Sequence, residues 1–447
     1  MSVIEKAYEL EAYFHDSGKP RELWRVGTEY EKVGIDRSTG KAIPYFGPRG
    51  VDRILRELIE RYGWEPEEQG GNIIALKRDK AQITLEPGGQ IELSGEPCDT
   101  IHCTYGEFTQ HIRELLEVSE PLDIVFLGLG MQPVSRIDEI EWVPKKRYRI
   151  MGPYMPKVGK LGQRMMKQTA TVQTNFDYLD EKDAMAKFRT GMGLAPLLIA
   201  MFANSPISDG RLNGYRSFRE HIWTDTDRSR SGLLRFAFLP DVSFANYVEY
   251  ALDVPMYFIV RHHDYIDMTS MTFRQFLTHG YRGERATIQD WADHLTTLFP
   301  ETRIKRYIEI RSVDSQPPEL MPALSALTKG VFYDGDCLAA AWDLVKGWSW
   351  DERMETYFDS HKNALAARFR RYTLLDLAKE LFQIGWEGLR RQHTLNKSGE
   401  DETIYLNPLK QLLFQGKCPA DVLVEKWVGE LDQDIKKLIE YSAYKLP

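Results

Sequence analysis

The sequence predicts an α+β fold whose last third is helical. In the first two-thirds, several short stretches alternate apolar and polar residues between turn residues, which is typical of strands. The clearest of them runs from Ala81 to Leu93, where Pro87-Gly88-Gly89 separates two alternating segments. From about residue 318 onward, apolar residues instead recur at helical spacing. Because no Pro- or Ser-rich linker separates the two parts, we expect residues 1–447 to form one continuous unit, with a core at about 20–317 and a helical lobe at about 318–447.

Helices and strands alternate in the first part of the prediction. An apolar stripe at helical spacing predicts a helix over residues 51–62, which Gly63 ends. Proline presets one backbone dihedral and glycine accepts positive φ, so the Pro87-Gly88-Gly89 turn makes Ala81–Leu93 a hairpin. The other elements predicted here are helices at 2–16 and 100–117 and strands at 24–31, 73–77 and 123–131.

The same spacing rules predict the elements from residue 151 to the end of the chain. Residues 151–157 contain two prolines and are predicted as an irregular loop. Residues 303–311 alternate and are predicted as a single strand with Lys305, Tyr307, Glu309 and Arg311 on one face. The remaining predictions are a strand at 169–176, a strand or helix at 254–260, and helices at 184–203, 271–278, 288–299, 320–329, 337–345, 364–392, 404–415 and 420–441.

Composition bounds the class of protein. The chain has 447 residues, a formal net charge of −8, 28% charged residues and 43% hydrophobic residues, which excludes wholesale disorder. Net acidity argues against nucleic acid as a partner, and no apolar run is long enough to predict a membrane helix. The four cysteines form no CxxC pair, so we expect reduced thiols in packing positions and no structural zinc.

Five glutamates lie on the polar faces of predicted strands. Glu29 and Glu31 are two residues apart and point the same way, and the hairpin carries Glu86 and Glu92, while Glu309 lies on the strand at 303–311. Taken singly, each is better explained as part of a solvated sheet face. Taken together they favour a metal site, because crowded carboxylates repel unless cations lie between them, and Mg²⁺ prefers oxygen ligands.

A set of basic residues complements these acids. Arginine binds carboxylates and phosphates through two parallel hydrogen bonds. Exposed charges that hold loops are the alternative, which is stronger for Lys145 and Lys146 than for Arg311. Acids for a metal and arginines for anions together indicate phosphoryl transfer from a metal-bound nucleotide, that is, an enzyme using ATP and Mg²⁺. The set consists of Arg147, Arg149, Lys157, Arg219, Arg228, Lys305 and Arg311.

Long strings at these residues resemble the plant-type glutamate–cysteine ligases, which also occur in bacteria. The most specific strings are Leu85-Glu-Pro-Gly-Gly-Gln-Ile-Glu-Leu-Ser94 and His221-Ile-Trp-Thr-Asp-Thr-Asp227. The others are 26–32, 147–151, 154–159, 171–173, 253–257 and 306–311. The resemblance implies a single catalytic unit with a largely antiparallel, curled sheet of the glutamine-synthetase type, wrapped by helices. It also implies ATP- and Mg²⁺-dependent joining of the L-glutamate γ-carboxylate to the L-cysteine amine through a γ-glutamyl phosphate, the first step of glutathione biosynthesis.

The same resemblance implies roles for individual residues. Metal ligands would be Glu29, Glu31, Glu86, Glu92, Glu309 and Gln173. Catalytic residues would be Arg219, Arg311 and Glu86. Glutamate and cysteine would be bound by Arg149, Arg219, Trp223 and Tyr257, and ATP by Arg147, Lys157 and Arg311.

One departure from the family limits what carries over. Plant members have cysteines linked to redox control, one of them at the position of Ala170, and the four cysteines here do not reproduce that pairing. The redox switch of the plant members is therefore not carried over to this sequence, nor is a dimer that depends on it, and we expect a monomer or a homodimer. The first residues lack the pattern of a signal or transit peptide, which predicts a cytoplasmic protein.

Two alternatives stay open at this point. One is a related γ-glutamyl ligase with another amine acceptor, because the cysteine-pocket residues carry over least sharply. The other is a non-catalytic nucleotide- or metal-binding protein on the same scaffold. For the ligase, the expected partners are the small molecules glutamate, cysteine and ATP.

Overall fold

The computed structural model describes residues 3–445 and is organised around a nine-stranded sheet. Its order is β8-β9-β7-β1-β5-β4-β3-β2, while β6 pairs with the second half of β1, and each pairing is antiparallel. The largely antiparallel sheet expected from the sequence is therefore present. The strands are β1 (Val26–Asp36), β2 (Glu65–Gln69), β3 (Asn72–Arg78), β4 (Ala81–Leu85), β5 (Ile91–Ser94), β6 (Ile124–Leu127), β7 (Val172–Phe176), β8 (Thr302–Ile304) and β9 (Ile308–Ile310).

Helices surround this sheet. Helices α3 and α11 pack against β1, and α11 also packs against β7. Within residues 3–445, none of the helices has the length and apolar character needed to cross a membrane. The helices are α1 (Tyr8–His15), α2 (Val51–Tyr62), α3 (Ile101–Ser119), α4 (Tyr148–Val158), α5 (Gly162–Gln168), α6 (Glu181–Phe202), α7 (Phe218–Trp223), α8 (Phe244–Asp253), α9 (Phe273–His279), α10 (Ile288–Thr296), α11 (Met321–Phe332), α12 (Gly335–Val345), α13 (Trp350–Asn363), α14 (Leu374–Gln392), α15 (Asn407–Gln415), α16 (Pro419–Val428) and α17 (Ile435–Ser442).

The structure differs from the sequence prediction at residues 151–157 and at residues 303–311. The predicted loop at 151–157 is part of α4, although Pro153 and Pro156 lie inside that helix. Helical proline costs backbone hydrogen bonds, but α4 buries Tyr148, Met151 and Met155, and this packing outweighs the local preference. The predicted single strand at 303–311 is a hairpin, with β8 paired to β9.

The cysteine prediction is also wrong in part. Cys98 and Cys103 form a disulfide, with Cα atoms 5.8 Å apart, whereas Cys337 and Cys418 are free and buried. Thr100 caps α3 by accepting a hydrogen bond from the backbone N–H of Cys103. This cap turns the chain so that Cys103, in the first turn of the helix, faces back toward Cys98.

The C-terminal third is helical as predicted, with different boundaries. Helix α13 was not predicted, and the helix predicted for 364–392 begins only at Leu374, after the short strand pair Arg368–Phe369 and Tyr372–Thr373. The long helix predicted for 420–441 is two helices, α16 and α17. Apolar residues of this third belong to the same buried cluster as those of the sheet. This shared core supports the proposal of a single catalytic unit.

A buried ion pair lies within this lobe, and its acid also binds the backbone of α3 in the first part of the chain. Lys329 of α11 donates to both carboxylate oxygens of Glu402, at 2.8 and 2.6 Å, and Glu402 also accepts the backbone N–H of Ile101 at 2.7 Å. Lys329 is 4% exposed and Glu402 is 1% exposed. Removing one partner of such a pair leaves the other buried without a counter-ion.

We therefore expect Glu402→Gln to lower the free energy of unfolding by about 3–5 kcal/mol. Urea denaturation followed by circular dichroism measures this change. Glu400→Gln is the matched control, because Glu400 is exposed on the same loop. A loss no larger for Glu402→Gln than for Glu400→Gln would contradict the prediction.

Candidate active site

Four of the five sequence-predicted glutamates, from β1, from β5 and from the turn before β5, line a cavity of about 170 Å³ on one face of the sheet. In the register of the sheet, Glu92 of β5 lies opposite Glu31 of β1, and Gln173 of β7 lies opposite Glu29. The antiparallel pairing thus brings together side chains that are far apart in the chain. Of the predicted site residues, those that line the cavity are Glu29, Glu31, Glu86, Glu92, Arg147, Gln173, Arg219, Trp223 and Arg311.

The predicted tight turn between β4 and β5 positions Glu86. The backbone N–H of Glu86 donates to the carbonyl of Gln90 at 2.9 Å, and Gly89, with φ of 86°, donates back to the carbonyl of Glu86. At Gly88, a Cβ atom would lie 2.2 Å from the carbonyl oxygen of Lys167. Glycine at position 88 therefore allows the turn to pack closely against the last turn of α5, which holds Glu86 over the cavity.

Three carboxylates converge in this cavity. Glu31, Glu86 and Glu92 each place one oxygen within 4.8 Å of the other two. Glu92 also accepts hydrogen bonds from the hydroxyls of Thr84 and Ser94, both at 2.8 Å. Burial, then the charges of Glu86 and Glu92, raise the pKa of Glu31 well above its usual value. When all three carboxylates are ionised they repel one another, and a cation bound between them would reduce this repulsion.

Glu309 lies apart from this cluster. Arg303 donates two hydrogen bonds to its carboxylate, at 2.6 and 2.7 Å, and Arg311 donates a third at 2.9 Å. Lys305 lies 3.2 Å away. Burial alone would raise the pKa of Glu309, but these three cations hold it well below its usual value. Its oxygens are engaged by basic groups, and Glu309 does not join the three converging carboxylates of Glu31, Glu86 and Glu92.

Two arginines, Arg219 and Arg311, bring positive charge to the cavity. The Arg219 guanidinium pairs with Glu220 and donates to the carbonyl oxygen of Arg311 at 3.2 Å, while Arg311 donates to the side-chain oxygen of Gln173. Arg219 is 2% exposed and Arg311 is 9% exposed. Two desolvated arginines held by their neighbours form a rigid site for an anion.

Trp223 and Arg147 add unsatisfied donors to the cavity wall. Trp223 lies one helical turn after Arg219 on α7, and its indole N–H is buried without a partner among residues 3–445. The same holds for the Nε–H group of Arg147, which lies at the start of α4. Buried donors normally have acceptors, so both groups indicate where the oxygens of a ligand would lie.

Comparison with known proteins shows which family the chain belongs to. The model of glutamate–cysteine ligase family 2 matches residues 25–440. The chain belongs to this family. It is an enzyme of the ligase class, and the expected function, the first step of glutathione biosynthesis, is confirmed. ATP use is consistent with this membership.

Curated relatives agree with the family match. The chloroplastic glutamate–cysteine ligase of Brassica juncea is 42% identical over 98% of this ligase and 84% of its own length. Chloroplastic glutamate–cysteine ligase B of Oryza sativa subsp. japonica is 42% identical over 96% and 86%, and the chloroplastic ligase of Arabidopsis thaliana is 42% identical over 98% and 82%. These names contradict the expected cytoplasmic location, which was based on the first residues of the sequence alone.

A solved structure confirms the fold. The crystal structure of a glutamate–cysteine ligase from Francisella tularensis in complex with AMP superposes with a TM-score of 0.53. It covers 95% of this ligase and 90% of its own chain at 14% sequence identity. At that identity the likeness establishes the α+β fold with its antiparallel sheet, and the site is argued from the residues of this ligase.

Three predicted binding residues lie outside the cavity of the ligase, namely Arg149, Lys157 and Tyr257, and so does Arg228 of the basic set. Arg149 and Lys157 are exposed on α4, and Arg228 is exposed after α7. Tyr257 is 1% exposed, with its ring 3.9 Å below the guanidinium of Arg230 and 6.5 Å from the ring of Phe299, which lines the cavity. Tyr257 therefore lies behind the cavity wall, and Arg149 and Lys157 do not reach the cavity at all.

Several cavity residues were not predicted. Arg303 lines the cavity and holds Glu309, but the sequence prediction named Lys305, Tyr307, Glu309 and Arg311 for this strand face and left Arg303 out. The signal that was available is the cross-strand position of Arg303 and Glu309 once a turn is placed at residues 305–307. Glu220, the buried partner of Arg219, was also missed, since nothing in its polar neighbourhood distinguishes it from an exposed acid.

Proposed function

We propose that this cavity joins the γ-carboxylate of glutamate to the amine of cysteine at the expense of ATP, with Mg²⁺ held by its carboxylates. The observation that carries the proposal is the convergence of Glu31, Glu86 and Glu92 in one cavity that Arg219 and Arg311 also line. Acids for a cation and arginines for anions are what phosphoryl transfer to a carboxylate requires.

The donor set fits a hard divalent cation. All three converging groups offer oxygen, and burial together with their mutual repulsion raises the pKa of Glu31, which a bound cation would counteract. Glu31, Glu86 and Glu92 would hold Mg²⁺, with Glu29 and Gln173 beside them. When bound, Mg²⁺ neutralises phosphate charge and orients the transferring group. We assign Glu309 a different task, the fixing of Arg303 and Arg311.

The chemistry follows from the substrates. A carboxylate does not acylate an amine, because the leaving group would be oxide. Transfer of the γ-phosphoryl group of ATP to the glutamate γ-carboxylate gives γ-glutamyl phosphate and ADP. The cysteine nitrogen then attacks the carbonyl carbon, loses a proton and displaces phosphate. No protein nucleophile takes part in either step.

The residues of the ligase act by binding and orienting. Arg219 is placed to bind a substrate carboxylate through two hydrogen bonds, and Trp223 has a free N–H group one turn away. Arg311 and Arg147 are placed to bind phosphate oxygens, Arg311 with its orientation fixed by Glu309. Fixed donors of this kind stabilise charge in the transition state without reorganising.

A direct assay tests the proposal. The protein incubated with ATP, Mg²⁺, glutamate and cysteine is expected to release phosphate and form γ-glutamylcysteine, and a mixture without cysteine is the control. A panel of other amines separates the acceptor alternatives, since faster turnover with a non-thiol amine would contradict the choice of cysteine. ATP binding without turnover on any acceptor would contradict the proposed reaction as a whole.

A further inference from the structure

A second and larger cavity lies behind the sheet. It has a volume of about 560 Å³, within the range typical of small-molecule sites. Phe108 of α3 lines it, and the Phe108 ring packs 4.9 Å from that of Tyr30. Because side chains alternate along β1, Tyr30 points away from the face that carries Glu29 and Glu31. The second cavity is therefore separated from the catalytic one by the sheet itself.

The wall of this cavity is apolar and nearly uncharged. Helices α3, α15 and α16 contribute rings and aliphatic chains such as Tyr105, Leu412 and Val422. The charged lining residues in the described part of the chain are Glu319 and Lys445, both exposed at the rim. A nucleotide or an amino acid would lose its hydration there without gaining a counter-ion, so the lining favours an uncharged ligand.

Polar groups are present at defined points of the wall. The Ser442 hydroxyl is buried and has no hydrogen-bond partner within residues 3–445. Asn204, Gln411 and Gln415 also line the cavity, and the amide nitrogen of Asn204 already donates to the carbonyls of Gly128 and Ser315. A small aromatic molecule with one N–H or O–H group would bury its ring against the apolar wall and pair its polar group with one of these side chains.

One of these wall residues is linked to the catalytic cavity. The backbone N–H of Asn204 and the hydroxyl of Ser205 both donate to one oxygen of Asp314, each at 2.7 Å. Ser217, which caps α7, donates to the other oxygen at 2.8 Å. The Ser205 hydroxyl in turn accepts the backbone N–H of Arg219 at 3.1 Å. A single buried carboxylate thus holds both the wall of the second cavity and the helix that presents Arg219.

We propose that the second cavity is an effector site for an uncharged aromatic small molecule with one hydrogen-bond donor. A ligand that binds this arrangement stabilises it, and the arrangement includes Arg219 in position for glutamate. Binding of the effector and binding of glutamate therefore favour each other. The coupling rests on the proposed contact between Arg219 and glutamate, whereas the binding of the effector does not.

The binding is tested with a matched pair of fluorescent probes. Phenylnaphthylamine is neutral and has one N–H group, and anilinonaphthalene sulfonate has the same ring system with a negative charge. We expect one phenylnaphthylamine to bind per chain with increased fluorescence, and the sulfonate to bind at least about tenfold more weakly. Equal affinity for the two probes, or no saturable binding of phenylnaphthylamine, would overturn the proposal.

Variants locate the probe. Val422→Trp fills the cavity from α16 and is expected to weaken phenylnaphthylamine binding at least about tenfold. Val428→Trp is the control, because Val428 is exposed on the same helix. Gln411→Trp repeats the test from the exposed side of α15, where a larger side chain does not disturb the core. Unchanged binding in folded Gln411→Trp and Val422→Trp would place the probe elsewhere and overturn the assignment.

The coupling is tested by reciprocity. Saturating glutamate is expected to lower the dissociation constant of phenylnaphthylamine about fivefold. Phenylnaphthylamine is expected to lower the dissociation constant of glutamate by the same factor, measured by calorimetric titration. Phenylnaphthylamine affinity that is the same with and without glutamate would overturn the effector role. Failure of the proposed ligase reaction is distinguishable, because the ligase assay is run without any probe.

Discussion

Glu86→Gln is expected to lower kcat by about 10²–10³ while the protein stays folded. Glutamine keeps the size of the side chain and the backbone hydrogen bonds of the turn, but it removes one of the three charges that converge in the catalytic cavity. The loss of charge weakens the binding of the cation, so the Mg²⁺ concentration for half-maximal activity is also expected to rise. Phosphate release at several Mg²⁺ concentrations measures both changes, and circular dichroism checks the fold.

Glu68→Gln is the matched control for this prediction. Glu68 is an exposed acid on β2 of the same sheet and lies outside the cavity, so its loss should leave activity near that of the unmodified protein. Turnover of Glu86→Gln close to that of Glu68→Gln would remove Glu86 from the site.

Arg219→Lys is expected to lower kcat/KM for glutamate about 10²-fold, which corresponds to about 2.7 kcal/mol. Lysine keeps the positive charge beside the buried Glu220, so the fold is preserved. It lacks the planar fork that binds a carboxylate through two hydrogen bonds, and it cannot hold the carbonyl of Arg311 in the same geometry. Initial rates at varied glutamate with saturating ATP and cysteine measure the effect.

Arg216→Lys provides the comparison for Arg219→Lys. Arg216 pairs with Asp421 next to the start of α7 and does not line the cavity. We expect it to change kcat/KM little. A similar loss in both variants would mean that the effect is a general disturbance of α7, and that Arg219 does not contact glutamate.

Local patterns in the sequence were sufficient to predict the strands that carry the acids of the cavity. Alternation predicted the strands around Glu29 and Glu92, and the Pro87-Gly88-Gly89 turn predicted the hairpin, because these features depend on neighbours in the chain. The pairing of Glu31 with Glu92 across the sheet was not predictable in the same way. It depends on which strands pair and in what register, which the packing of the whole core decides.

The errors have physical causes of the same kind. A single strand over 303–311 separates Arg303 from Glu309 by about 20 Å, whereas the hairpin places the two residues side by side. Two prolines led to the prediction of a loop where burial of Met151 and Met155 stabilises α4. In both places a long-range contact outweighs the local preference from which the prediction was made.

Helix α7, which the sequence analysis did not predict, brings Arg219 and Trp223 together. They lie four residues apart on α7 and reach the same cavity because that spacing is about one helical turn. Without this helix, Arg219 and Trp223 were two separate candidate site residues with no predicted spatial relation. Its capping serine, Ser217, is the sequence signal that would have indicated a short helix.

The central claim is that acids from β1 and β5 and the turn before β5 gather a divalent cation for phosphoryl transfer. Crystals soaked with Mn²⁺ and a non-hydrolysable ATP analogue test it most directly, because the anomalous scattering of Mn²⁺ locates the cation without reference to its ligands. We predict anomalous peaks in contact with Glu31, Glu86 and Glu92, beside the phosphates. Nucleotide bound in this cavity with no peak at these three carboxylates would contradict the claim.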